Sequence, residues 1–142
     1  MTSLLNDSMF VCCVKVFSLC SFIGLAIGCS LIEPSAKQHF DTKPNTSVNN
    51  VFSCAKKTLH LLKSERATWS DTITMQNIQL GILETDNYNQ VNRVGIRVQI
   101  QYQIQTGQGS VRVKASGPYF VDLGAEEAAL LLTKKIRQCL SE

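Results

Sequence analysis

The sequence predicts an α+β fold, in which an antiparallel meander of three to four strands has two helices packed on one face. Apolar and polar side chains alternate without a break between Val94 and Gln105, which is the pattern of a half-buried strand. Apolar residues recur at helical spacing on both sides of that strand, in residues 51–63 and 125–140. Because both helix stripes and one sheet face are apolar, we expect them to share one core.

The first predicted helix covers residues 51–63. Its apolar side chains are spaced to form one face, namely Val51, Phe52, Ala55, Leu59 and Leu62. Ser47, Asn49 or Asn50 precedes this stripe and can cap the helix, because a short polar side chain accepts a hydrogen bond from a free amide of the first turn. Trp69 follows the helix; we favour a place in the core for its indole, with a ligand-stacking platform as the alternative.

Three strand regions follow the helix. The first covers residues 72–85, where alternating positions are apolar at Ile78, Leu80 and Ile82. The second covers residues 93–105 and the third residues 110–115. The glycine-rich link of residues 106–109 predicts a hairpin turn between them.

Side-chain identity predicts the register of this hairpin. If Gln105 lies opposite Ser110, apolar residues meet in the inward pairs Ile104–Val111, Tyr102–Val113 and Ile100–Ala115. A slip by one residue would turn every side chain to the other face, so we expect this pairing. Proline cannot donate to the ladder, so the strand should kink at Gly117-Pro118 and continue its inward face through Tyr119, Val121 and Leu123.

The last predicted element is a helix from about Ala125 to Leu140. Acidic residues in its first turn and basic residues near its end match the helix dipole; they are Glu126, Glu127, Lys134, Lys135 and Arg137. Its apolar stripe consists of Ala125, Ala128, Leu132, Ile136, Cys139 and Leu140.

The amino-terminal segment has the pattern of a secretory signal peptide. Lys15 precedes a short apolar block, residues 16–27, which is too short for a comfortable membrane span of roughly 20 residues. The block ends in Leu25-Ala26-Ile27-Gly28-Cys29, which resembles the lipobox of bacterial lipoproteins. The first nine residues include Asp7 and have no positive side chain, so Met9 is an alternative start to Met1.

The lipobox resemblance implies that residues 1–28 are a signal peptide and that Cys29 becomes the acylated first residue, carrying palmitate-type chains. Residues 29–48 are rich in Pro, Ser, Thr, Asn and Lys and predict a flexible tether, which leaves residues 49–142 as a single domain. In the usual Gram-negative scheme, Ser30 permits transport to the outer membrane, where the domain would face the periplasm. In a Gram-positive source the anchor would stay in the plasma membrane.

The six cysteines divide between the signal region and the domain. Cys12, Cys13 and Cys20 precede the expected cut, and Cys29 would carry lipid. Cys54 and Cys139 remain, and a disulfide between them is favoured in an exported chain, where such bonds persist. The alternative is that both are buried small hydrophobic residues.

Residues for catalysis or metal binding are sparse, and the sequence predicts a protein that is not an enzyme and needs no cofactor or metal. His60 is expected on the solvated part of the first helix, and Glu84 and Asp86 in an exposed turn. No histidine and cysteine spacing fits zinc, and no nucleophile has an evident base. The net charge of +3 is too small and too dispersed for a nucleic-acid binder.

The polar face of the predicted sheet is the candidate binding surface. It collects positive side chains without matching acids, namely Arg93, Arg97, Arg112 and Lys114. Such a face can receive an anionic sugar, a lipid headgroup or an acidic protein. The alternative is that it is the wet side of an ordinary antiparallel sheet.

A helix before a strand that ends in Gly81-Ile82-Leu83-Glu84-Thr85, with a closing carboxy-terminal helix, is similar to small accessory lipoproteins of envelope machines, including the outer-membrane barrel-assembly machine. The resemblance implies a non-catalytic module that docks onto other envelope proteins or cell-wall components while its lipid holds it to the membrane. The alternative function is a small-ligand or lipid carrier with a cavity between helices and sheet.

Overall fold

Two helices and a five-stranded sheet make up the described part of the chain, in a computed structural model that describes residues 33–91, 93–117 and 123–142. In chain order the elements are β1 (Ser35–Asp41), α1 (Val48–Glu65), β2 (Ile73–Asn77), β3 (Ile82–Thr85), β4 (Gly95–Gln103), β5 (Gln108–Ser116) and α2 (Gly124–Ser141). The sheet order is β1-β5-β4-β3-β2, and all neighbours are antiparallel. The α+β class is confirmed, but the predicted number of strands is too low. The predicted signal peptide and the predicted lipid-attachment residue Cys29 lie outside the described residues, as do Tyr119 and Val121.

The predicted tether of residues 29–48 is wrong for residues 35–41, which form strand β1. Residues 35–41 lie within the segment expected to be flexible, yet they pair with β5 along their whole length, from Ser35 opposite Lys114 to Asp41 opposite Gln108. Phe40 is fully buried and its ring stacks on Tyr102, with 6.5 Å between the ring centroids. The burial of this aromatic ring and the backbone ladder to β5 together hold β1 in the sheet.

The predicted first strand region is a hairpin of two strands. The turn between β2 and β3 contains Gly81, which has a φ of 63° and whose amide donates to the Ile78 carbonyl at 3.3 Å. A Cβ at Gly81 would overlap the Tyr102 carbonyl of β4, so only glycine fits there. Ile78 and Leu80, predicted to alternate within a strand, lie in this turn and are exposed.

Both predicted helices are present, and each extends beyond its predicted ends by one turn or less. Ser47 caps α1 by accepting a hydrogen bond from the Asn50 amide at 3.2 Å, and all five residues of the predicted stripe are buried. In α2 the buried positions include Ala125, Ala128, Leu132 and Ile136, as predicted. Trp69 is 1% exposed within the same core, which confirms the core interpretation of its indole.

The register of the β4–β5 hairpin differs from the predicted one. Gln103 pairs with Gln108, so the inward pairs are Ile100–Val111, Val98–Val113 and Ile96–Ala115. The turn between β4 and β5 contains Gly107, which has a φ of 68° and whose amide donates to the Gln103 carbonyl at 2.9 Å. The shift is an even number of residues, so the faces of the strands are as predicted, although Val94 and Ile104 are exposed at the ends.

A disulfide joins the two helices, as the sequence predicts. The Sγ atoms of Cys54 and Cys139 lie 2.00 Å apart, and the two Cα atoms are separated by 5.7 Å. The bridge closes a loop of 85 residues, which contains β2 to β5. It therefore links α1 covalently to α2.

Candidate functional site

The face of the sheet opposite the helices carries the polar side chains predicted for it, but part of that face is covered. The segment between β3 and β4 contributes Tyr88, which is 6% exposed, and its carbonyl accepts hydrogen bonds from two side chains of the sheet. The predicted surface of four cations is therefore divided into buried and exposed parts.

Arg97 is buried rather than exposed, which corrects its predicted place in the binding surface. Its side chain is 0% exposed and donates to the carbonyls of Tyr88, at 3.4 Å, and of Gln90. Its guanidinium also pairs with Glu33. Burial lowers the pKa of Arg97, and the carboxylate of Glu33 supplies the compensating charge that a buried cation requires.

Lys114 and Arg93 are both engaged by neighbours. Lys114 Nζ lies 3.7 Å from Glu33 Oε2, donates to the Tyr88 carbonyl at 3.3 Å, and sits 4.7 Å from the centroid of the Tyr88 ring. Arg93 donates to the side-chain oxygen of Gln90 at 2.9 Å and lies 3.9 Å from Asp86. These two cations help to fix the covering segment on the sheet, which limits their availability to a partner.

Arg112 and Lys37 form the exposed cationic part of this face. Arg112 lies on β5, directly opposite Lys37 on β1, and side chains of directly opposed residues point to the same face. Both are exposed, and within the described part of the chain neither side chain forms a hydrogen bond or an ion pair. Lys37 was missed by the sequence analysis because its segment was interpreted as a tether.

A groove of about 490 Å³ contains this pair. It is lined by Ser35, Ala36, Lys37, Tyr88, Asn89, Arg112 and Lys114. We refer to it as the cationic groove. Its floor is the β1–β5 ladder and one wall is the segment of Tyr88 and Asn89, so the groove joins the start of β1 to the covering segment.

Burial and the charge of Arg112 both affect the pKa of Tyr88, the residue at the wall of the groove. Burial raises the pKa of the Tyr88 phenol, while the positive charge of Arg112 acts in the opposite direction and the carboxylate of Glu84 reinforces the rise. The phenol is thus held neutral, and its ring offers a π face to Lys114.

Glu84 lies in β3 and is buried, whereas the sequence predicted an exposed turn. Its carboxylate accepts hydrogen bonds from the side-chain amides of Gln99, at 2.6 Å, and Asn89, at 3.5 Å. Glu84 pairs with Gln99, Gln99 with Arg112, and Arg112 with Lys37 in one row across four strands. The acid is therefore separated from the exposed cations by a full strand.

His60 and the acids do not assemble into a reactive centre in the described residues. His60 lies on the exposed side of α1, with Nδ1 3.0 Å from Asp71 Oδ2, and Lys63 Nζ lies 2.6 Å from Asp71 Oδ1. The hydrogen bonds from Lys63 and His60 lower the pKa of Asp71. Across residues 33–91, 93–117 and 123–142, no group of three or more His, Cys, Asp and Glu is placed to hold a metal ion.

Comparison of the chain with protein-family models, with curated proteins and with solved structures finds no match in any of the three. Among the described helices, none has the length and apolar character needed to cross a bilayer.

Proposed function

We propose that this protein is a lipid-anchored cell-envelope protein whose domain is a non-catalytic binding module of an envelope complex. Its acylated Cys29 would hold it to the outer membrane, with the domain facing the periplasm. Its binding partners would be other envelope proteins or cell-wall components.

The disulfide between Cys54 and Cys139 is the observation that carries this proposal. Disulfides persist in exported proteins and are rare in reducing compartments. The pair comes from two segments 85 residues apart in sequence, and it is separate from the four cysteines at or before the expected cut. A bridged domain behind a lipobox-like segment is consistent with export followed by lipid attachment.

The cationic groove supports the binding part of the proposal. Lys37 and Arg112 face each other on adjacent strands, and like charges placed directly opposite are unfavourable by themselves. An anionic group between them would remove that repulsion and accept hydrogen bonds from both. Arginine in particular presents a planar set of donors that matches a carboxylate or phosphate.

The membrane part of the proposal is tested by replacing the acylated cysteine. Cys29→Ala should release the protein from the membrane fraction or leave an uncut precursor, because the thiol is the site of lipid attachment. Cys20→Ala is the matched control, since Cys20 lies within the apolar block and should be removed with it. The proposal would be contradicted if Cys29→Ala associated with the membrane as the wild type does and differed from it in mass only by the substitution itself.

The binding part is tested by photo-crosslinking in intact cells. A photoreactive residue in place of Arg112 should give a reproducible adduct, while the same residue in place of Lys57, which is exposed on α1, reports background. Equal yields at the two positions would show that the groove has no partner.

A further inference from the structure

The start of β1 brings the folded domain closer to Cys29 than a flexible tether up to residue 48 would. Ser35, the first residue of β1, is six positions after Cys29 in the chain. A chain of six residues reaches at most about 20 Å when fully extended. An acylated Cys29 lies at the headgroup level of its bilayer, so the beginning of β1 must stay within that distance of the headgroups.

The cationic groove lies at this same end of β1. Ser35, Ala36 and Lys37 line it, and Lys37 is only two residues, or about 7 Å, further along the strand than Ser35. The exposed cations of the groove are thus held near the membrane surface by the covalent chain itself. Phosphate groups of the bilayer are then the anions present at the highest local concentration.

We infer that the cationic groove binds the phosphate of an anionic phospholipid headgroup in the membrane that holds Cys29. The inference rests on the proposed acylation of Cys29. The guanidinium of Arg112 donates two hydrogen bonds to phosphate oxygens, and the ammonium of Lys37 pairs with the same group as a point charge. The helix-free face of the sheet then lies against the bilayer, and α1 and α2 lie on the opposite side of the sheet.

Charge distribution within the groove agrees with this occupant. Glu33 is already engaged by Arg97 and Lys114, and Glu84 is buried against Gln99, so neither carboxylate is directed at an anion beside Arg112. Lys114 also lines the groove, where its ammonium is held between the Tyr88 ring and the carboxylate of Glu33. A cation close to an anionic bilayer contributes an attraction that corresponds to about a fivefold change in binding per side chain.

The experiment uses the acylated mature protein, whose lipidation is first established by intact mass. It is reconstituted into vesicles of phosphatidylcholine alone or of phosphatidylcholine mixed with phosphatidylglycerol. A membrane-impermeant amine reagent then labels the outer-facing lysines, and mass spectrometry reports the rate at each site. The control is Lys57, which is exposed on α1.

We expect labelling of Lys37 to be slowed about fivefold in the anionic vesicles and to recover in high salt, while Lys57 labels equally in both. Arg112→Gln should remove most of the protection at Lys37, and Lys134→Gln, on the exposed side of α2, should leave it intact. Equal labelling of Lys37 in the two vesicle types would overturn the inference.

Two further outcomes are distinguished by the same experiment. If inorganic phosphate protects Lys37 in neutral vesicles as well as the anionic lipid does, the groove takes free phosphate, and the membrane lipid is the wrong source. If the intact mass shows no acyl chain, the proposed function fails before the groove is measured. An acylated protein with an unprotected Lys37 refutes the headgroup site and leaves the lipid anchor in place.

Discussion

Lys37 and Arg112 lie directly opposite each other on β1 and β5, on the face of the sheet that carries no helix. Two like charges in this position cost stability, and neither finds a compensating acid in the described part of the chain. The domain therefore keeps an unfavourable pair at a groove, which is the arrangement expected where an anion from outside completes the site.

Charge reversal at Lys37 should stabilise the isolated protein and abolish binding of the anion. Lys37→Glu replaces a repulsive pair with an attractive one opposite Arg112, so the free energy of unfolding should rise by about 0.2–1 kcal/mol. Urea denaturation measures this change. Lys57→Glu makes the same change of net charge on α1 and should have a smaller effect. A loss of stability in Lys37→Glu would mean that Lys37 is engaged by a partner within the fold.

Removal of the disulfide should be the most destabilising of these changes. In the chain-entropy model, a bridge that closes an 85-residue loop stabilises the folded state by about 4–5 kcal/mol. The double variant Cys54→Ala and Cys139→Ala should therefore unfold at much lower urea concentration. Reductant should lower the stability of the wild type to a similar level and leave the variant unchanged. Insensitivity of the wild type to reductant would show that the bridge does not form.

Arg97 should matter for stability far more than Arg112, although both come from the same polar face. Arg97→Met removes the hydrogen bonds to the carbonyls of Tyr88 and Gln90 and leaves Glu33 without its buried partner, a loss of about 2–4 kcal/mol. Amide hydrogen exchange should accelerate in residues 86–91. Arg112→Met is the matched control and should change stability by less than about 0.5 kcal/mol. Similar losses in the two variants would contradict the assignment of Arg97 as the residue that fixes this segment.

Asp71 gives a small pH dependence whose sign follows from its contacts. Lys63 and His60 lower its pKa below the ordinary value of 3.8, so the folded state binds its proton less tightly than the unfolded state does. The stabilisation is therefore complete above that value and is lost as the pH falls through the lower folded pKa. Asp71→Asn should cost up to about 1 kcal/mol at neutral pH, because the site is partly exposed, and almost nothing in strong acid. A cost that does not change with pH would contradict the charge-based account; Asp41→Asn, at the exposed end of β1, is the control.

The helices were predictable because their signals are local, whereas the bridge was predictable because Cys54 and Cys139 are the two cysteines left in the domain. Neighbouring members of each apolar stripe are at most four residues apart in the sequence. The alternation through β4 likewise set which side chains face the core. Each of these patterns depends on a period of the backbone and needs no knowledge of the partner element.

Strand β1 was not predictable in the same way because its partner lies far along the chain. Polar residues dominate residues 35–41, and Phe40 gains its buried place only when β5 and Tyr102 are beside it. Gly109, predicted in the turn, lies instead in β5, where an added Cβ would overlap the Phe40 ring. The same contact explains why the hairpin register could not be read from side-chain identity alone.

The candidate site was predictable only in part. Alternation correctly places Arg97 and Arg112 on one face, but it cannot show that the segment around Tyr88 covers the first and leaves the second exposed. Lys37 joins the site through strand pairing, which the tether interpretation excluded. Burial on the polar face and the contribution of β1 are both long-range properties of the fold.

The most direct test of the account is the intact mass of the protein made in a bacterial host, before and after reduction and alkylation. The account predicts a chain that begins at Cys29, carries acyl groups, and takes up two alkyl groups at Cys54 and Cys139 only after reduction. A chain that keeps residues 9–28, has no acyl group, and is alkylated at both cysteines without reduction would contradict export, the lipid anchor and the disulfide together.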